Sequence, residues 1–316
     1  MSILHKIVES TKLRVEREKA QISFHKMRDK AESLYKKQRE LLESSTDSSL
    51  RNLPKASCGK TRRSRSFFSN PLDSLDFAIK PPFAFEKALD SNADSSVNSS
   101  DSKSTMRFIC EVKKASPSKG IITQDFPYLQ IAQDYESAGA DCISCLTEPE
   151  YFLGADSYLR EIAKAVKIPT LRKDFIIDSY MIYGAKVLGA DCVLLISEAL
   201  ELSQMVEFCD IAKSLGLSVL IESHSESALQ NALQTSAKLI GVNNRDLRTF
   251  KVDLGTSIRL KKLVPKDRIF VSESGIATRE NIALLQSHDI NAVLIGESLM
   301  RESNKAHALN RLRRFE

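Results

Sequence analysis

The sequence predicts a (β/α)8 barrel, a TIM barrel, behind an N-terminal helical extension and a polar insertion. Three observations predict it. Eight short apolar runs rich in β-branched residues alternate with longer amphipathic stretches from residue 106 onward. Several of those stretches stop at a glycine, the expected C-terminal helix cap. A short internal echo, Gly139-Ala-Asp-Cys-Ile against Gly189-Ala-Asp-Cys-Val, indicates a repeated unit. Eight β/α units closing on themselves make a barrel, and about 200 residues suffice for one. An open doubly wound sheet would carry a glycine-rich fingerprint after its first strand. Here that place reads Ala115-Ser116-Pro117-Ser118-Lys119-Gly120.

Residues 2–42 read as helix, because Ile3, Leu4, Ile7, Val8, Leu13 and Val15 fall at helical spacing among charges. The extension is assigned to 1–42. A Ser-rich, basic linker follows over 43–105, too polar to offset its own ordering entropy. Within it, a segment near 82–90, Pro-Phe-Ala-Phe-Glu-Lys-Ala-Leu-Asp, has enough apolar residues to dock. The barrel is assigned to 106–316. Its strands are read at FICEVK (108–113), CISCLT (142–147), PTLRKD (169–174) and CVLLIS (192–197). The remaining four are SVLIES (218–223), LIGVNN (239–244), IFVSES (269–274) and AVLIGE (292–297). The intervening helices include Tyr128–Ala138, Ser179–Leu188 and Glu201–Leu215.

Charge is uneven. Residues 1–66 hold 17 Lys and Arg against 8 Asp and Glu, so the whole surplus behind the net +5 lies there. The densest run, Lys60-Thr-Arg62-Arg63-Ser-Arg65, lacks the interleaved aromatics of an RNA-binding sheet, and no nucleic-acid partner is expected. No apolar run approaches a membrane span, and the N-terminus lacks a secretory apolar region. A soluble cytoplasmic protein is expected, a monomer or weak homodimer. Cys142 and Cys145 form the sole CxxC pair, but residues three apart on a strand face opposite ways. The five histidines show no ligand spacing, so no metal is expected.

The functional signal lies where the strands end. A parallel barrel buries both strand faces, so charges there need a reason. Glu111 and Lys113 alternate in phase with Ile109, Lys173 with Leu171, Glu222 with Leu220 and Glu273 with Val271. Strand 6 ends in Asn243-Asn244-Arg245. Polar residues therefore collect at the carboxyl rim, where barrel enzymes build active sites. Ser274-Gly275 and Gly296-Glu297 follow strands 7 and 8, the usual phosphate position. A phosphorylated small-molecule substrate is expected.

These residues carry a resemblance. EVKKASPSKG (111–120), LRKDFIID (171–178), IGVNNRDL (240–247), SESGI (272–276) and LIGESLM (294–300) resemble indole-3-glycerol phosphate synthase of tryptophan biosynthesis. Tyr151-Phe152-x-Gly154, Ile221-Glu222 and the opening ILHKIVESTKLRVE fit as well. The tracts at 43–80 and 91–104 are longer and more polar than the usual connection of that family. The resemblance implies conversion of 1-(2-carboxyphenylamino)-1-deoxyribulose 5-phosphate to indole-3-glycerol phosphate with loss of CO2 and water. It implies no cofactor, since the anilino nitrogen already activates the ring.

Lys173 matches the acid that protonates the ketone. Glu222 and Lys113 match the residues that serve dehydration and proton removal, with their division of labour open. Lys113 also matches the residue that meets the aromatic carboxylate. Glu111 would orient the lysines, and Asn243 would hold a sugar hydroxyl. Ser274, Gly275, Gly296 and Glu297 would offer backbone N–H groups to phosphate, the Glu297 side chain turning away. Ser116, Arg245 and Glu273 match the remaining polar residues, and Phe152, Pro117 and Leu194 would wall the ring cleft. Rival readings are a phosphoribosylanthranilate isomerase type, needing a Cys/Asp pair, and a tryptophan synthase α type, needing two carboxylates. A non-catalytic barrel whose basic N-terminus binds nucleic acid or a partner is the rival outside enzymes.

Overall fold

A computed structural model describes residues 2–46, 77–90 and 106–313. The basic run at 60–65 and most of the two polar tracts lie outside these residues. Eight parallel strands close into a barrel: β1 Arg107–Val112, β2 Cys142–Leu146, β3 Thr170–Lys173, β4 Cys192–Ile196, β5 Ser218–Ser223, β6 Leu239–Asn243, β7 Ile269–Glu273 and β8 Ala292–Ile295. All eight fall where the sequence put them. Each strand pairs with its sequence neighbour, and β8 closes onto β1 with Ile109 opposite Leu294. Ala115–Ser116 and Gly120–Ile121 add a small antiparallel pair after β1.

Alternation sorts the side chains into two cores. Ile109, Cys142, Leu171, Cys192, Leu220, Leu239, Val271 and Ala292 fill the barrel interior. Phe108, Cys110, Ile143, Cys145, Val193 and Val219 face the surrounding helices. Cys142 and Cys145 thus point to opposite sides, and both are free thiols, as the strand period requires. On β3 the same period turns Arg172 outward, to Asp156 at 2.9 Å, and Lys173 inward.

The extension differs from the sequence reading in one respect. It is two helices, α1 Ile3–Gln21 and α2 Phe24–Thr46, rather than one over 2–42. Ile22 adopts an extended conformation (φ −129°, ψ 110°) and packs on the helix-facing core. Ser23 then begins the next helix, its carbonyl accepting from Met27 N at 3.0 Å. The break turns the chain: α1 crosses the carboxyl face of the barrel, while α2 runs beside the helix Ser179–Leu188 that follows β3. α2 also runs past residue 42, to Thr46, with the Ser44 and Ser45 hydroxyls donating to the carbonyls of Leu41 and Leu42.

The segment near 82–90 forms α3 Ala84–Leu89, whose Phe85 and Leu89 are fully buried against the barrel interior. Phe83 N donates to Gly216 O at 3.0 Å and Glu86 N to Ser218 Oγ at 3.2 Å, so α3 seals the amino end of the barrel. Docking starts earlier than the polar linker suggested. Lys80 is buried and its ammonium donates to Asp191 Oδ2 at 2.8 Å. The same carboxylate oxygen accepts from Thr170 N at the start of β3. Replacing Lys80 by Met leaves Asp191 a buried, half-satisfied anion. Stability should fall toward the lower end of the about 3–5 kcal/mol seen when one partner of a buried pair is lost. Thermal unfolding of the variant measures it, and an unchanged midpoint would show that this docking is passive.

Candidate active site

The carboxyl ends of the strands open into a cavity of about 450 Å³. Every site residue expected from the sequence lines it: Glu111, Lys113, Ser116, Pro117, Phe152, Lys173, Leu194, Glu222, Asn243, Arg245, Glu273, Ser274, Gly275, Gly296 and Glu297.

At its floor a buried ammonium sits among carboxylates. Lys173 Nζ donates to Glu222 Oε2 at 2.8 Å and lies 3.2 Å from Glu273 Oε2. Burial opposes the Lys173 charge, but Glu222, then Glu273 and Glu111, outweigh it and raise its pKa above the ordinary lysine range. Burial also opposes the Glu222 charge. The ammonium and His224 overcome this, with hydrogen bonds from Lys173 and from Asn243 Nδ2 (3.0 Å), and bring Glu222 down to about 2. Burial pushes Glu273 the other way, up, and the neighbouring Glu222 charge adds to it. The two carboxyls beside one ammonium are thus pushed in opposite directions: the ammonium favours the Glu222 charge, while burial and the Glu222 charge disfavour that of Glu273.

Glycines make the room. A Cβ on Gly241 of β6 would stand 2.5 Å from Glu273 Oε1. A Cβ on Gly296 would stand 2.1 Å from Glu111 Oε2 and 2.9 Å from Lys113 Nζ. Lys113 hydrogen-bonds Glu111 over this glycine. Gly296 therefore serves the Glu111–Lys113 pair as well as any anion approach.

The loop after β7 turns through two left-handed residues, Ser274 (φ 67°) and Gly275 (φ 79°). Buried Asn244 fixes it, donating to Ser272 Oγ at 3.0 Å and Ser274 O at 3.1 Å. Ser298 Oγ donates to Ile276 O at 2.8 Å and ties the loops after β7 and β8 together. The Glu297 side chain, expected to turn away from a phosphate, is held by cations. It stays on the cavity wall, neutralised by Arg301 at 3.2 Å, Arg245 at 3.5 Å and Lys119 at 3.7 Å.

Other lining residues were not read from the sequence. Phe175 lies 6.0 Å from Phe152, ring centre to ring centre, in the cleft wall. Phe152 is held by Glu148, whose buried carboxylate accepts from the backbone of Glu150, Tyr151 and Phe152. Ile3, Leu4 and Ile7 of α1 line the cavity too. Arg14 of α1 pins that helix by donating at 2.7 Å to Asp174, the residue after Lys173. His224 also lines the cavity. Its signal was present, two residues after Glu222 and therefore on the same strand face.

Fold and site together define a phosphate-barrel type of protein, a closed (β/α)8 barrel whose carboxyl face gathers two lysines and three carboxyls in one cavity. The comparisons narrow this. The family model for indole-3-glycerol phosphate synthase matches residues 84–312. The indole-3-glycerol phosphate synthase of Ruminiclostridium cellulolyticum is 44% identical over 311 residues, 98% of each chain. That of Endomicrobium trichonymphae is 51% identical over 254 residues, 80% of this chain and 94% of its own. The chain belongs to the indole-3-glycerol phosphate synthase family. A solved 3-hexulose-6-phosphate synthase is 16% identical and covers 66% of this chain and 98% of its own, with a TM-score of 0.54, a likeness of fold alone.

If Glu222 holds the ammonium charged, Glu222→Gln should lower the Lys173 pKa, because the largest favourable charge is removed. An NMR titration of the Lys173 side chain reads this directly. A titration unmoved from the parent would show that the ion pair does not set the charge of the lysine.

Proposed function

We propose that this chain closes the indole ring of 1-(2-carboxyphenylamino)-1-deoxyribulose 5-phosphate, releasing CO2 and water to give indole-3-glycerol phosphate. The observation that carries the reading is the buried contact between the Lys173 ammonium and the Glu222 carboxylate, one acid beside one base. Family membership supplies the substrate. The reaction is a step of tryptophan biosynthesis, and a cytoplasmic location goes with phosphorylated substrate and product.

The roles follow from charge and position. Lys173 protonates the ketone oxygen as the ring carbon bearing the carboxylate attacks. Lys113, held by Glu111, meets that carboxylate until it leaves as CO2 and aromaticity returns. Glu222, anionic, takes the carbon proton during dehydration, and Lys173 protonates the departing hydroxyl. The 2.8 Å contact lets the two reset each other. Glu273 keeps the ammonium in place. Asn243 steers Glu222 and reaches a sugar hydroxyl. Phe152, Pro117 and Leu194, with Phe175, wall the aromatic ring. Ser116 is at the cavity lip, and Arg245 and the loops at Ser274–Gly275 and Gly296–Glu297 take the phosphate. On its arrival Arg245 exchanges Glu297 for the ligand.

Lys173→Ala should lower kcat by about 10²- to 10⁴-fold, the range for a lost general acid, with KM little changed. Product indole fluorescence follows turnover without background, because the chain has no Trp. A variant keeping most of its kcat would remove Lys173 from the first step.

Arg245→Met should weaken binding of inorganic phosphate, measured by calorimetry, by about 1–2 kcal/mol. Unchanged affinity would move the phosphate away from these loops. Glycine variants test this less cleanly, since a Cβ on Gly275 would meet Val252 at 2.1 Å and one on Gly296 would meet Glu111.

A further inference from the structure

The proposed reaction has a proton requirement. The substrate carboxylate leaves as neutral CO2, and the ketone oxygen leaves as water. That water needs two protons. One is the carbon proton that Glu222 removes, and the second must come from solvent each turnover. The acid that spends it, Lys173, lines the cavity that the substrate would fill, so the 13% of its side chain exposed in the open cavity would be covered during turnover.

A chain of titratable groups runs from Glu222 through His224, both on the cavity wall, to Glu198, which does not line the cavity. His224 Nε2 lies 3.4 Å from Glu222 Oε1 and has no hydrogen-bond partner among the described residues. On the other side of the ring, Nδ1 lies 3.3 Å from Glu198 Oε2. Exposure rises along the line, from 5% at the Glu222 side chain to 10% at His224 and 23% at Glu198. Glu198 is itself fixed, its Oε1 accepting from His224 N at 2.7 Å. It sits in the short 3-10 turn Ser197–Ala199 that follows β4. The charged groups facing the imidazole are Glu222 on β5, Glu198 on that turn and, opposing them, Lys173 on β3.

We propose that Glu198, His224 and Glu222 form the path by which the solvent proton consumed in each turnover reaches Lys173. This rests on the reaction proposed above. The imidazolium gives its Nε2 proton to Glu222 Oε1, and Glu222 passes a proton from Oε2 to the neutral Lys173 amine. The imidazole, then neutral with its remaining proton on Nδ1, turns over its tautomer so that this proton moves to Nε2, and the freed Nδ1 takes a proton from solvent by way of Glu198, which restores the imidazolium for the next cycle. No bond other than N–H and O–H changes, and one proton enters for each CO2 released. His224 acts through Glu222 and touches no reacting atom, so it is a positioning residue. Burial works against its charge, while the two carboxylates outweigh burial and raise its pKa from the ordinary histidine value, which favours the loaded donor.

The test uses the full chain, the aryl-ribulose phosphate and indole fluorescence. His224→Ala should lower kcat by about tenfold or more while KM stays within about threefold. Imidazole added to the assay should restore the rate in proportion to its concentration, more strongly at lower pH, where it carries the proton. Glu198→Gln keeps the oxygen that accepts from His224 N, and so decides the matter alone should the first variant fail to fold. It should lower kcat by about threefold or more and enlarge the solvent deuterium effect. Both variants holding kcat within about twofold, or a His224→Ala defect indifferent to imidazole, would overturn the path. Parent enzyme active on this substrate with silent variants sinks only the path. Parent enzyme inactive on it sinks the proposed reaction as well.

Discussion

A charged amine held among carboxyls at the bottom of the barrel cavity is the constraint on which the rest of this structure turns. Lys173 cannot be buried unless carboxylates surround it, and those carboxylates cannot be buried without it. Glu222 and Glu273 meet it from β5 and β7, two strands apart on the ring. The Glu273 carboxyl needs space that only a glycine leaves, hence Gly241 on the strand between them. Asn243, two residues further along that strand, points at Glu222 from above. The register of three strands is thus fixed by one ammonium as firmly as by backbone hydrogen bonds. A slip of one residue on any of them would send its charge into the helix-facing core.

Much of this was legible in the sequence, because a strand repeats every two residues. Counting alternate positions from Ile109, Leu171, Leu220 and Val271 found the inward charges without any knowledge of their neighbours. The same count separated Cys142 from Cys145. What stayed hidden depends on contacts between distant segments. Ile22–Ser23 is an ordinary helical dipeptide until the core beneath Ile22 favours an extended turn. Lys80 looks like the tail of a basic linker until Asp191 is brought beside it. Nothing in the sequence sets Asp174 and Glu148 apart. One in fact anchors a helix, and the other shapes the loop that carries Phe152. Glu297 was placed correctly, but its side chain could be understood only once Arg245, Arg301 and Lys119 were seen around it.

The two ends of the barrel are finished by the same stretch of chain. α1 supplies Ile3, Leu4 and Ile7 to the cavity mouth, and α3 supplies Phe85 and Leu89 to the floor. The barrel proper therefore contributes the chemistry and the cylinder, while the preceding segment supplies the surfaces that exclude water at either end. Phe85 and Leu89 stack beneath the apolar layer that supports the charged one, so the amino-end seal also stiffens the platform on which Lys173 stands.

Arg14 and Asp174 are 160 residues apart in sequence. A ribosome makes the α1 sequence long before it makes the strand that will hold it. Through that interval the apolar stripe of the helix has no native partner. Contacts of such separation form late, since the loop they close must be ordered first. Half-made chains in this interval present an unpaired greasy helix, the kind of surface that chaperones bind and that aggregates recruit. The tether that covers the finished site is therefore also the step of biogenesis at which the young polypeptide is most exposed.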